Sequence, residues 1–357
     1  MIKKVNMSEE KKELIEISFQ RTGNPIDKAI DELIELAQPI HHPELVREMI
    51  ITALKAGREE EIKADLKLMN TTLKEMRFTS KVFGPYRNIR KVTVFGSART
   101  KPDEPVYEMA RLFGKRLAEA GYMVITGGGP GIMQAVNEGA GPEKSFGVTI
   151  RLPFEQKINP VIEGNPRLIS YKYFFNRKIA FIKEASAVAL FPGGFGTLDE
   201  AMETSTLLQT GKRYPIPLIL IDEPGGTYWK KWLKFFEEEL LSQNYITASD
   251  FCIFDRVSSI DEAVTKINHF YYRYHSMRYV NNKLVIRLLS SIKSQDVQML
   301  KEKYNRILIP NGDIYISGPL PEEADEPELL HMPRLILDFN RKNFVRLRCL
   351  IDDINNF

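Results

Sequence analysis

Two glycine-rich turns, Gly-Gly-Gly-Pro-Gly-Ile-Met at 127–133 and Pro-Gly-Gly-Phe-Gly-Thr at 192–197, carry the first chemical signal in this chain. Each follows a short apolar run and opens a stretch with helical periodicity. A helix that starts at such a turn presents unpaired backbone N–H groups and the positive end of its dipole, a ready anion site. Two of these turns in one alternating pattern point to a phosphorylated small molecule held across neighbouring crevices at the carboxyl ends of strands. Charge of both signs flanks the second turn. Arg177 and Lys178 precede it, and Asp199, Glu200 and Glu203 follow it. Glu200 has two readings. With Thr197 as a helix N-cap, Glu200 is the N3 residue and completes a capping box. The same placement sets a carboxylate beside a crevice floored by backbone amides, where it can face a sugar. Arg177 likewise reads as a helix-surface arginine or as part of a site.

The commoner nucleotide signatures fail. There is no G-x-x-x-x-G-K-S/T, and the first turn does not match G-x-G-x-x-G. The strand after it ends in Ile150–Arg151, where a nicotinamide-binding fold often carries an acidic ribose ligand. The five histidines are scattered, without a metal-ligand spacing, so no metal site is expected. Cys252 and Cys349 lie far apart and read as packing residues. A net charge of only +3 argues against broad capture of nucleic acid or membrane. No apolar run approaches the roughly 20 residues that span a bilayer. The opening MIKKVNMSEEKKELIE is too charged for a signal peptide, so a cytoplasmic location is expected.

Strand and helix signals place these residues. From 8 to 82 the pattern is helical, with Leu14, Ile15 and Ile17, then Ile30, Leu33, Ile34 and Leu36, at helical spacing and Pro25, Pro39 and Pro43 between. A third helix is expected over 44–56, and a fourth leads toward Gly84. From residue 91 strands alternate with helices: KVTVF at 91–95, YMVIT at 122–126, 146–150, AVALF at 187–191 and IPLILI at 216–221. Nearly all-apolar strands between helices predict a parallel sheet covered on both faces. Beyond Tyr279 a helix is expected over 283–304, followed by strands at 306–309, 313–317, 334–339 and 344–350, with Asn311–Gly312 as a tight turn. The 357 residues therefore divide into a helical region at 1–87, a doubly wound, Rossmann-like α/β core at 88–278 and a small α+β appendage at 279–357.

At Phe95-Gly96-Ser97-Ala98, Gly127–Met133, Glu138-Gly139-Ala140, Arg177–Lys178 and Pro192–Glu200 (P-G-G-x-G-T-x-x-E), the chain resembles the LOG family of nucleotide phosphoribohydrolases, often mislabelled as lysine decarboxylases. The resemblance covers roughly 90–275. The flanking regions exceed the minimal family unit and look like those of longer bacterial relatives that cleave nucleoside 5′-monophosphates. The resemblance implies hydrolysis of the N-glycosidic bond of a nucleoside 5′-monophosphate, AMP-like purines favoured, to free base and ribose 5-phosphate. It implies no metal or organic cofactor, and a homodimer or higher homo-oligomer with the site near the subunit interface. Such cleavage builds oxocarbenium-like charge on the ribose. Glu200 would stabilise that charge and activate water, while Arg177 would anchor substrate oxygens and hold Glu200 ionised. Ser97, Gly128, Gly129, Gly131, Lys178, Gly193, Gly194, Gly196, Thr197 and Glu203 are the expected substrate-binding residues, and Tyr171, Tyr173, Phe174 and Phe175 could stack on a base. Two other classes compete: a non-catalytic carrier of a nucleotide or phosphorylated cofactor, and a pyridoxal-phosphate decarboxylase using Lys178 or Lys183, for which no acidic pyridinium partner can be assigned.

Overall fold

The computed structural model describes residues 15, 17–151 and 157–357. Residues 8–14 and 16 of the segment expected to be helical lie outside those described, and 17–24 are irregular. The chain divides into two units, Met1–Lys74 and Glu75–Phe357.

In the first unit, helix α1 (Pro25–Leu36) starts where the Asn24 side chain accepts the N–H groups of Ile26 and Asp27, with proline at the first helical position. Helix α2 (Pro43–Glu59) follows. Ile17, Ile30, Ile34 and Ile51 form one buried cluster. Arg47 meets Asp27 at 2.5 Å with both side chains almost fully buried. Helix α3 (Lys63–Phe83) runs across the boundary, so its residues from Glu75 onward belong to the second unit.

The second unit is built on a seven-stranded parallel sheet. Its strands are β1 (Lys91–Phe95), β2 (Met123–Thr126), β3 (Ser145–Ile150), β4 (Leu168–Tyr171), β5 (Ala187–Leu190), β6 (Leu218–Ile221) and β7 (Phe254–Val257), in the order β4-β3-β2-β1-β5-β6-β7. The crossover helices are α4 (Pro105–Glu119), α5 (Ile132–Ala140), α6 (Phe174–Lys183), α7 (Phe195–Gln209) and α8 (Tyr228–Phe235), and α9 (Ile260–Phe270) follows the last strand. Successive residues face opposite layers, which is why the central strands are mostly apolar, with Lys91, Thr93 and Thr126 the polar residues of β1 and β2. Val92, Val94, Ala187 and Ala189 pack with α4, α5 and α9, whereas Phe95, Val188, Leu190 and Leu220 pack with α6, α7 and α8. From β1 the chain proceeds to one edge, then returns to β5 and proceeds to the other. The topological switch point therefore lies between β1 and β5, which pair in parallel.

The C-terminal part departs from the sequence expectation. The stretch 283–304 is not one helix. Its first residues form β9 (Lys283–Leu288), paired antiparallel with β8 (Tyr274–Val280), and only Ser294–Tyr304 is helical (α10). The run Leu284–Leu288 is continuously apolar but for Arg287, a pattern that suits a buried strand as well as a helix, and the β8 partner decides it. Strands β10 (Ile314–Ser317) and β11 (Arg334–Leu337) complete a four-stranded antiparallel sheet, β10-β11-β9-β8. The expected strand at 306–309 is a 3-10 turn with a single bridge from Leu308 to Phe339. The expected strand at 344–350 is a helix, α11 (Phe344–Asn356), whose buried Leu347, Leu350, Ile351 and Ile354 recur at helical spacing. The antiparallel sheet thus begins at Tyr274, before the expected boundary at 278.

Candidate active site

A cavity of about 810 Å³ opens at the switch point, where β1 and β5 end. β1 delivers Gly96, Ser97, Ala98 and Arg99 to its wall, β5 delivers the turn at 193–198, and α6 contributes Phe174, Arg177 and Phe181. The two turns are joined by the Ser97 N–H, which donates to the Pro192 carbonyl at 3.0 Å. Gly193 makes the close approach possible. A Cβ there would sit 2.2 Å from the Thr197 hydroxyl and 3.0 Å from the Gly96 carbonyl carbon. From the far side the Tyr228 hydroxyl donates to the Gly193 carbonyl at 2.6 Å.

Helix α7 starts at this turn. Gly194 is its N-cap and provides no side-chain cap, and its carbonyl accepts the N–H groups of Thr197 and Leu198 at 3.0 and 3.1 Å. The leading N–H groups of the helix have no intrahelical acceptor, and no acidic residue lies in the first turn to neutralise the dipole. The capping-box reading of Glu200 is therefore overturned. The helix begins earlier than the box requires, so Thr197 is already its third residue and Glu200 lies one turn further in.

Glu200 is instead a buried carboxylate, 2% exposed, lining the cavity. Its Oε2 has no hydrogen-bond partner among the described residues, and its Oε1 is 3.9 Å from the Lys178 ammonium. Burial pushes its pKa up to about 7, against the pull of Lys178 and, more weakly, Arg177. The expectation that Arg177 keeps this group firmly ionised is corrected: desolvation outweighs both cations. Arg177 shares the same cavity wall. Its guanidinium lies over the rings of Phe174 and Phe181 at 5.1 and 5.4 Å, and its buried Nε has no partner among the described residues.

Of the other sequence candidates, Ser97, Gly193, Gly194, Gly196 and Thr197 line the cavity with Arg177 and Glu200. Gly128, Gly129, Gly131, Lys178 and Glu203 are not among the lining residues. The first glycine turn supports the site from behind. The Gly128 and Gly129 carbonyls accept the backbone N–H and side-chain amide of Asn159, at 2.9 and 3.1 Å. Gly131 has φ +68°, and a Cβ there would meet the Ser97 carbonyl at 2.3 Å. The turn thus buttresses the Ser97 loop, and only Gly127 and Met133 reach the cavity.

Lys178 bridges Asp199 at 2.9 Å and Glu203 at 2.6 Å. Although burial disfavours its charge, Glu203 and Asp199 hold its pKa above the usual lysine value, unlike the neutral amine that Schiff-base chemistry needs. Tyr171 is fully buried and bonded to the Thr79 hydroxyl, which removes it from the stacking candidates, whereas Phe174 lines the cavity and is 53% exposed. The sequence reading missed Arg99, whose N–H donates to the Ser97 hydroxyl at 3.1 Å, and Tyr228. Arg99 stands two residues past Ser97 and was legible from that spacing. Tyr228 comes from a distant crossover and carried no local signal.

The family model described as "possible lysine decarboxylase" matches residues 133–267. The probable cytokinin riboside 5′-monophosphate phosphoribohydrolase LOG4 of Oryza sativa subsp. japonica is 25% identical over 186 residues, 50% of this chain and 76% of that protein. A second Oryza sativa protein, cytokinin riboside 5′-monophosphate phosphoribohydrolase LOG, is 30% identical over 139 residues, 37% of this chain and 56% of its own length. Over these residues the chain is similar to phosphoribohydrolases of the LOG family. Among solved structures, the molybdenum cofactor binding protein of Rippkaea orientalis matches 50% of this chain and 94% of its own, with a TM-score of 0.35 and 20% identity. Among the described residues no helix is long and apolar enough to cross a membrane, and no group of three metal-ligating side chains converges.

Proposed function

We propose that the cavity hydrolyses the N-glycosidic bond of a nucleoside 5′-monophosphate, releasing free base and ribose 5-phosphate. One observation carries this reading. A buried carboxylate whose Oε2 has no hydrogen-bond partner among the described residues, and a half-buried guanidinium whose Nε likewise has none, line the same cavity as an uncapped helix N-terminus. Buried polar atoms left unsatisfied on charged groups are costly unless a ligand completes them. The phosphate would lie on the leading N–H groups of α7 and beside the hydroxyls of Ser97 and Thr197. That anchor would set the ribose over Glu200. As the C1′–N bond breaks, its electron pair leaves with the base and the ribose gains oxocarbenium character, which ionised Glu200 stabilises. Water adds at C1′ and gives its proton to Glu200, for which a pKa near 7 is well matched, and transfer of that proton to the departed base gives the neutral product and restores the carboxylate. Arg177 would bind substrate oxygens. The exposed face of Phe174 offers a surface for a purine, so AMP is the first substrate to try.

Similarity to the two phosphoribohydrolases supports this reaction class. The reading extends to a homo-oligomeric, cytoplasmic enzyme that needs no metal or organic cofactor. A screen of nucleoside 5′-monophosphates, read by chromatography of the products, tests it. Free adenine and ribose 5-phosphate from AMP, with little turnover of adenosine, are expected. Stoichiometric binding of monophosphates without release of base would refute hydrolysis and leave the carrier reading in its place.

A further inference from the structure

At the other end of the parallel sheet a second cavity, about 620 Å³, opens where β1 and β5 begin. Five cationic side chains line it, Arg87, Arg90, Lys91, Lys183 and Arg213, against two carboxylates, Glu184 and Glu328. The surplus of three positive charges equals that of the whole 357-residue chain. Basic residues elsewhere are balanced, so this concentration is local.

Two of the five already have protein partners. Lys183 pairs with Glu184 at 2.6 Å, and Lys91 donates to the carbonyls of Tyr86 and Ile89 at 2.7 and 2.9 Å. The three arginines differ: among the described residues none of them forms an ion pair with a carboxylate. Arg90 lies over the Tyr271 ring at 4.0 Å. Arg213 gives one terminal N–H to the Ala185 carbonyl at 2.5 Å, and its buried Nε has no partner. Arg87 is exposed at the rim.

The cavity wall is held in place independently of any ligand. Glu323, fully buried, accepts from Arg287 at 2.8 Å and Arg334 at 3.1 Å, and Arg334 also donates to the Leu329 carbonyl at 2.9 Å. This clamp fixes the short turn Pro327–Leu329, which carries Glu328 and Leu329 into the cavity wall.

Like charges gathered in a concavity repel one another, and the repulsion is relieved when an anion neutralises them. Planar guanidinium forks suit phosphate oxygens in particular. We propose that this cavity binds a compact polyphosphate anion, a chain of two or three phosphates that is either free or carried by a nucleoside. The site is separate from the monophosphate cavity, and the proposal does not rest on the reaction assigned there. Several arginines around one concavity match several adjoining phosphates better than a single one.

Calorimetric titration of the full chain carrying Glu200→Gln, with AMP present in excess to fill the first cavity without being consumed, provides the test. Tripolyphosphate, ATP and inorganic phosphate are the probes. One tripolyphosphate or ATP per chain is expected, with inorganic phosphate much weaker. Affinity should fall roughly tenfold or more with Arg87→Glu, a surface change that leaves the fold intact, and similarly with Arg213→Gln. Equal affinity for tripolyphosphate and ATP assigns recognition to the phosphate chain, while tighter ATP assigns part of it to the nucleoside. Loss of all binding when AMP is present would overturn the proposal, because the anion would then be entering the first cavity. Binding indifferent to both arginine changes, or an RNA oligomer that binds more tightly than ATP with the same arginine dependence, would overturn it as well.

Discussion

Replacing Glu200 with glutamine exchanges one oxygen for an NH₂ group at a side chain that is almost completely shielded. The carboxyl titrates near 4.5 in the unfolded chain and is pushed up to about 7 in the folded one, with burial the leading cause. Between those values the folded state holds a proton that the unfolded state has released. The stabilisation that goes with protonated Glu200 is therefore complete below the unfolded pKa and is lost as pH rises through about 7. The rise corresponds to roughly 3 kcal/mol, as an order of magnitude. Glutamine removes this penalty but leaves a buried amide to satisfy, which costs about 1–3 kcal/mol. At pH 8 the variant should therefore match or exceed the parent, by up to about 2 kcal/mol. At pH 5, where Glu200 is already neutral, that advantage should vanish. Urea unfolding at the two pH values measures the difference. Turnover of AMP should fall by about 10²–10⁴, because the amide neither offsets oxocarbenium charge nor accepts a proton. A variant that loses stability at pH 8 and keeps near-parental turnover would refute this reasoning and make Glu200 a structural residue.

The pH dependence of kcat/KM should show a single ionisation near 7, with activity rising toward alkaline pH as Glu200 loses its proton; a flat profile from pH 5 to 8 would contradict the assignment. Tyr228→Phe removes the hydroxyl that holds the Gly193 carbonyl, so KM for the monophosphate should rise by roughly three- to tenfold, consistent with about 1 kcal/mol, while kcat changes less; an unchanged KM would show that the turn does not need this tether. A chain starting at Glu75 should stay folded and active. One starting at Asn88 should lose about 3 kcal/mol or more, since it lacks Phe83, stacked on Phe146 at 4.4 Å, and Glu75, which accepts from Asn176 at 2.6 Å at the start of α6. Equal unfolding midpoints for the two truncations would refute the boundary at Glu75.

Sequence legibility followed how local each signal was. The β1 and β5 runs end in glycine turns within a few residues, so both strands, the turns and the covered parallel sheet could be read directly. The edge strands β4 and β7 were missed because LISY and FDRV are short and mixed in polarity. The hairpin of β8 and β9 and the helix α11 turn on tertiary partners that no local window contains. In the site, residue types located Glu200 and Arg177, but their electrostatics could not be read. Whether a carboxylate beside two cations is held down or pushed up depends on how much water reaches it, and spacing carries no such information. The first glycine turn illustrates the same limit. Its residues suit an anion site, and only the approach of Ser97 to Gly131 shows that the turn's backbone serves the neighbouring loop.

Helix α11 crosses back from the antiparallel sheet to the parallel one. Arg348 donates to the Ile216 carbonyl and pairs with Asp255 on β7 at 2.9 Å, Val345 joins the core beneath α7, and the Phe344 ring lies where any Cβ at Gly211 would fall. What reads along the chain as an appendage is thus a cover for an edge of the core. The segment from 274 onward is not a detachable module. A relative lacking it would have to close the Leu208–Ile216 edge with other side chains, so gain or loss of this segment in evolution should be accompanied by compensating substitutions at positions 208, 211, 216 and 255.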